Sequence, residues 1–230
     1  MNGRVEQVGS VPEAFAGLVA DRVAAPRDGG FSLFLSGGQT AQNCYQALAG
    51  LTTPIDWSTV DIYLGDERCV PLDDPDSNHR MITEVLLDAV GPVRSDHPMY
   101  RSGPPEEAAT AYQAEIEPLG RFDLVHLGLG PDGHTASLFP DSTALAVDDS
   151  SVLVVANRDP NHNNPHDRIT LTLGGIARAR LVVFTVTDQS KHDPFSRIVG
   201  GANLPASRVI ADEVLWLVDA DVVGDTVLPT

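Results

Sequence analysis

Residues 127–140 read LGLGPDGHTASLFP, and the apolar run DLVHL at residues 123–127 leads into them. A buried strand that ends in glycines is a common entry to a parallel α/β sheet, and Gly128, Gly130 and Gly133 have the G-x-G-x-x-G spacing of a dinucleotide loop. The chemistry around the glycines argues against a dinucleotide. Pro131 removes an N–H from the cradle and Asp132 sets a carboxylate where a pyrophosphate would lie. The acids about twenty residues on, Asp148 and Asp149, precede the next strand instead of ending it. The other reading is a tight turn presenting Asp132 and His134 beyond the strand, the histidine as a general base and the carboxylate orienting it. Alternatively, His134 merely caps a helix over residues 135–139.

Outward from this turn, strands and helices alternate. Ser10-Val-Pro-Glu13 is a capping-box pattern, and Phe15, Leu18, Val19 and Val23 recur at helical spacing, which predicts a helix to about Ala25. Strands are expected at 31–36, 60–65, 123–128, 152–156, 168–173, 181–186 and 214–218. Helices are expected after Gly37-Gly38 (carrying Cys44, Tyr45 and Leu48), at 77–90, at 104–119 and at 190–199. The pattern predicts an α/β fold, a mostly parallel sheet with helices on both faces, as one catalytic domain over residues 1–230 with room for a small lobe. Ligands of such sheets collect beyond the carboxyl ends of the strands.

The chain is long enough to bury a core without staples, and its two cysteines, Cys44 and Cys69, have neither disulfide-framework nor zinc spacing. A formal charge of −17 opposes a nucleic-acid partner, which requires a basic face. No apolar segment suits export or a membrane span, so a cytoplasmic protein is expected. The sequence identifies no protein partner.

In so acidic a chain, an anion site must gather a few cations against a repulsive background. SGGQT at residues 36–40 offers the glycine N–H groups of Gly37 and Gly38 at a helix start, either as an anion site or as a plain turn. Asp66, Glu67 and Arg68 follow a strand directly; Arg68 suits phosphate oxygens, unless the run is simply solvated charge. Lys191, the single lysine, opens a late helix and is either a point charge for the same anion or an exposed ammonium. His162 and His166 lie in an Asn/Pro-rich stretch, 158–167, that reads as a surface loop and not as a metal helix. His126, within a strand, reads as a hydrogen-bonded core residue. There is no G-x-S-x-G for a serine nucleophile.

Taken together, SGG-x-T, DER-x-V followed by Ser77-Asn78, LGLGPDGHTASLFP and Pro165-x-x-Arg168-Ile-Thr resemble the 6-phosphogluconolactonases over roughly residues 31–200. Related glucosamine-6-phosphate deaminases share the glycine turn, an Asp-Glu pair and a DGH, but continue as DGHIAFNEP and DEY. The resemblance implies a modified Rossmann-like fold of the sugar-phosphate isomerase/lactonase type and hydrolysis of a phosphorylated sugar lactone without metal or organic cofactor. It implies His134 as base, with Asp132 orienting either it or the sugar hydroxyls. It further implies that Gly38, Thr40, Arg68 and Lys191 hold the phosphate with Arg168 assisting, and Gly37 and Asp66 are expected to complete the substrate-binding set. Gln39 and Ala41 depart from the family's usual serine and proline, and His166 from a second proline; backbone donation by Gly37 and Gly38 does not depend on them. The alternatives on the same fold are deamination of an amino-sugar phosphate and non-catalytic sensing of a sugar phosphate.

Overall fold

The computed structural model describes residues 1–27, 29–53 and 55–228. In chain order its elements are β1 (Arg4–Gln7), α1 (Val11–Ala24), β2 (Phe31–Leu35), α2 (Gln39–Ala49), β3 (Val60–Leu64), β4 (Asp66–Arg68), α3 (Asn78–Ile82), α4 (Asp88–Val90) and β5 (Ser95–Asp96). There follow α5 (Pro105–Ile116), β6 (Phe122–Leu127), β7 (Val154–Asn157), β8 (Arg168–Leu171), α6 (Leu173–Ile176), β9 (Ala179–Val186), α7 (His192–Val199), β10 (Glu213–Val218) and α8 (Ala220–Val223). A π-helical turn, Thr83–Leu87, joins α3 to α4.

Seven strands form a parallel sheet in the order β1-β10-β9-β6-β2-β3-β5. Every residue of β2 and β3 is buried, as continuous apolar strands require when both faces are covered. Phe184 of β9 and Trp216 of β10 stack at 3.8 Å, while α1 lays Phe15 and Val19 into the same core. After β5 the chain returns to place β6 on the other side of β2. The order therefore reverses between β2 and β6, and a crevice opens above this pair.

Several sequence expectations are corrected. The strands expected at 152–156 and 168–173 leave the parallel sheet: β7 and β8 pair antiparallel, and β8 pairs antiparallel with β4, giving a separate three-stranded sheet. Asp66–Arg68, read as loop, is thus a strand too short to show a period. The edge strand β1 and the two-residue β5 escaped notice for the same reason. Ser10 is the N-cap residue of α1 but makes no side-chain cap, so the capping box does not form. A 3-10 turn, Gln189–Lys191, occupies the start of the last expected helix, with the Asp188 side chain accepting from the Ser190 N–H at 2.7 Å.

Candidate active site

Beyond the carboxyl ends of β2, β3, β6 and β9 lies an open hollow of about 680 Å³. Gly37, Gly38, Asp66, Arg68, His134, Arg168 and Lys191 all line it. Thr40 does not: it lines an adjoining hollow that shares Gly37, Gly38 and Lys191, and its hydroxyl lies 2.7 Å from that of Thr187. Asp132 stands behind His134.

The glycine turn after β2 is a matter of space and backbone. A Cβ at Gly37 would lie 1.9 Å from Asn78 Oδ1, and Gly38, at φ 97°, holds the left-handed conformation that ends the turn and starts α2. Neither of their N–H groups finds a backbone acceptor among the described residues. The hydroxyl of the fully buried Tyr45 fixes the turn from below, accepting from the Ser36 N–H at 2.8 Å and lying 2.8 Å from His126 Nδ1. His126 Nε2 in turn lies 2.7 Å from the Thr185 hydroxyl, which makes His126 the hydrogen-bonded core residue expected; burial pushes its pKa down to about 3.

The turn after β6 shows what two of its three glycines, Gly130 and Gly133, are for. No helix follows it: the Leu138 N–H donates to Thr135 O at 2.9 Å, and Ala136 takes φ 46°. Without a helix N-terminus the dinucleotide reading falls, and so does a helix cap at His134. Gly133 supplies a positive φ, and Gly130 leaves room for the imidazole, since a Cβ there would stand 2.1 Å from His134 Nδ1. Asp132 Oδ1 accepts from the His134 backbone N–H at 3.1 Å and lies 2.5 Å from Nδ1; Phe139 meets the ring edge-on at 5.0 Å. Burial raises the Asp132 pKa, but the bonds and charge of His134 outweigh it and hold the carboxyl below its ordinary value. An ionised carboxylate only accepts, so Nδ1 carries the proton and Nε2 is the basic nitrogen.

The cations show where negative charge belongs. Arg68, Arg168 and Lys191 form no ion pair among the described residues, whereas ten of the remaining arginines do. Arg68 donates to the Asp76 carbonyl at 2.5 Å. Arg168 is 5% exposed, and its buried Nε has no acceptor among the described residues. Burial pushes the pKa of both Arg168 and Lys191 below the ordinary value, against the pull of nearby carboxylates. Three cations of the hollow thus lack carboxylate partners among the described residues, in a chain of charge −17.

Asp66 Oδ2 accepts from the Ser137 hydroxyl at 2.6 Å, tying the DER strand to the DGHTAS turn. Glu67 points away and closes the start of α3, accepting from Ser77 Oγ and from the N–H groups of Arg68, Asn78 and His79. Sequence reasoning missed Asn78, Ser137 and Asn164, all in the lining. Asn164 belongs to the stretch read as surface loop; the signal was Asp159, an acid able to fold the asparagines after it around its carboxylate. His166 pairs with Asp76 at 2.8 Å, and no group of three or more metal-ligating side chains converges among the described residues. Cys44 and Cys69 are free, each thiol pushed up to about 12 by burial.

Fold and hollow together define an α/β protein with an Asp-backed histidine and an unpaired cationic patch at the switch point of its sheet. Residues 8–216 match the family model for glucosamine-6-phosphate isomerases/6-phosphogluconolactonase, and the chain belongs to this family. It is 40% identical over 203 residues to a 6-phosphogluconolactonase of Synechocystis sp., covering 82% of this chain and 81% of that one. A 6-phosphogluconolactonase of Mycobacterium leprae is 36% identical over 231 residues, covering 93% and 92%. The crystal structure of 6-phosphogluconolactonase from Thermotoga maritima superposes with a TM-score of 0.80 at 31% identity, over 94% of this chain and 97% of that one. A monomeric glucosamine-6-phosphate deaminase shares the fold, at a TM-score of 0.81 and 19% identity.

Proposed function

We propose that the protein hydrolyses 6-phospho-D-glucono-1,5-lactone to 6-phospho-D-gluconate, the lactone-opening step of the oxidative pentose phosphate pathway. The observation that carries the reading is an Asp132-backed His134 opening onto the same hollow as three cations without carboxylate partners among the described residues. Arg68, Arg168, Lys191 and the N–H groups of Gly37 and Gly38, which have no backbone acceptor among the described residues, hold the phosphate, and Thr40 lines the adjoining hollow. This anchoring places C1 of the lactone for attack, so that remote binding energy serves the reacting centre.

His134 Nε2 takes a proton from water as its oxygen bonds to C1, and Asp132 stabilises the imidazolium that forms. The tetrahedral intermediate then collapses: the C1–O5 bond breaks, the ring oxygen takes the proton back from the imidazolium, and C1 leaves as a carboxylic acid that ionises. General-base catalysis of this kind contributes about 10²- to 10⁴-fold. None of these steps calls on a metal or an organic cofactor. On this reading residues 1–230 act as one catalytic domain, the three-stranded sheet supplying Asp66, Arg68 and Arg168, and the enzyme works in the cytoplasm. No helix among the described residues is long and apolar enough to cross a membrane.

The test is decay of freshly generated lactone with and without the purified protein, because the lactone also opens unaided. Acceleration that disappears in His134→Ala, with product affinity retained, is the expected result. A folded wild type giving no acceleration would sink the reading, and ammonia release from glucosamine 6-phosphate would then be measured.

A further inference from the structure

We infer that Asn78 and Asn164 accept hydrogen bonds from ring hydroxyls of the ligand, and that Asn164 is a specificity-determining residue; this rests on the lactonase reading. A carboxamide has a donor end and an acceptor end, and its neighbours decide which end faces a ligand. Asn78 Nδ2 donates to the Asp66 carbonyl at 2.9 Å, and Asn164 Nδ2 donates to Asp159 Oδ2 at 2.8 Å. The first acceptor is a carbonyl. The second is a buried carboxylate: burial raises the Asp159 pKa, but the bonds from Asn164 and its neighbours outweigh this and keep it ionised. Neither acceptor can donate, so each carboxamide turns one N–H inward and leaves its Oδ1 as the unclaimed acceptor.

Both residues line the hollow, and the Oδ1 of each has no donor among the described residues. Asp66 adds a third acceptor, since one of its oxygens is occupied by Ser137 and the other is free of donors among the described residues. Acceptors repel a phosphate and welcome a hydroxyl. A lining that joins unpaired cations to unpaired acceptors therefore suits a ligand carrying both one phosphate and several hydroxyls, and penalises one whose hydroxyls are missing.

Asn164 is the residue to vary. Asn78 also braces the Asp66 carbonyl and abuts Gly37, so its loss would disturb the glycine turn. At Asn164 the backbone N–H donates to Asp159 at 3.1 Å and that of Asn161 does so at 2.9 Å, both independent of the carboxamide.

The experiment compares wild type, Asn164→Leu and Asn164→Ala on the parent lactone and its 2-, 3- and 4-deoxy analogues, with inorganic phosphate as a competitive inhibitor. Both variants are expected to lose about five- to tenfold in kcat/KM on the parent. One deoxy analogue should show the same deficit with wild type and no further loss with either variant, while inhibition by phosphate stays within about twofold. The inference is overturned if the variants keep the wild-type ratios across all four lactones, or if phosphate inhibition weakens in step with kcat/KM, which would mark collapse of the loop. Should wild type hydrolyse none of the lactones, the lactonase reading falls first and takes the inference with it; intact turnover with unchanged ratios removes the inference alone.

Discussion

Replacing Arg168 with Met should strengthen the fold and weaken ligand binding at once. Arg168 is 5% exposed, and among the described residues it lacks an ion pair and leaves Nε buried without an acceptor. Burial is the main reason its pKa is lowered; Asp66 and Glu67 pull the other way, and Arg68 adds repulsion. An orphaned buried donor costs about 1–3 kcal/mol, which an unbranched apolar side chain of similar length avoids. Allowing for the attraction to Asp66 that is also lost, the net gain in stability should be about 1 kcal/mol, or about 2–4 °C in Tm for a chain of this size. Binding moves the other way. A charge-assisted bond to phosphate contributes about 1.5–3 kcal/mol, so 6-phosphogluconate affinity should fall about tenfold to a hundredfold. Thermal unfolding in phosphate-free buffer, repeated across a phosphate titration, reads both effects. Wild type should rise by about 2.7 kcal/mol at a hundredfold excess over Kd while the variant gains little, so their stability curves cross. A variant that is less stable than wild type without phosphate, yet binds product normally, would refute the argument that Arg168 is held uncompensated for an anion.

Two further outcomes follow from the site's packing and from the buried histidine beneath it. Gly130→Ala places a methyl 2.1 Å from His134 Nδ1, so the ring must leave Asp132; kcat should fall at least about tenfold with phosphate inhibition unchanged, and steady-state kinetics with unaltered kcat would show that the ring position does not matter. For His126, burial lowers the pKa from 6.5 to about 3, so below pH 6.5 the unfolded chain takes up a proton that the native protein refuses. The stabilising contribution of the neutral ring is complete above 6.5 and is lost as pH falls towards 3, amounting to about 2 kcal/mol by pH 5. His126→Phe keeps the ring volume and the contact with Phe15 while sharing every other titratable group, so the stability gap between wild type and variant should narrow by that amount from pH 7.5 to pH 5 in denaturant titrations. A gap that stays constant would contradict a neutral buried His126.

Much of the site was legible because its chemistry is local. Asp132 and His134 lie two residues apart on one turn, and the spacing of a carboxylate and an imidazole on a glycine-bounded loop already limits what they can do together. The glycines after β2 carry their meaning in the same way, since a residue without Cβ reports backbone conformation or close approach. What the sequence could not reveal is which distant segment supplies that approach: for Gly37 it is the Asn78 side chain. Asn164 shows the limit most clearly. Its loop has the composition of a solvated surface segment, and only the enclosed Asp159 carboxylate turns it into the hollow.

Sequence alone determined the alternation of strands and helices, the continuous apolar strands of a doubly covered parallel sheet, and the residue types at the strand ends, because periodicity and local turn chemistry are written along the chain. The tertiary structure alone decided that β4, β7 and β8 form their own antiparallel sheet, that the strand order reverses between β2 and β6, and that Arg68, Arg168 and Lys191, separated by up to 123 residues, meet with no carboxylate partner among the described residues. Strand pairing and charge compensation are long-range: each depends on which segments the folded core brings together, and no window of the chain contains both partners.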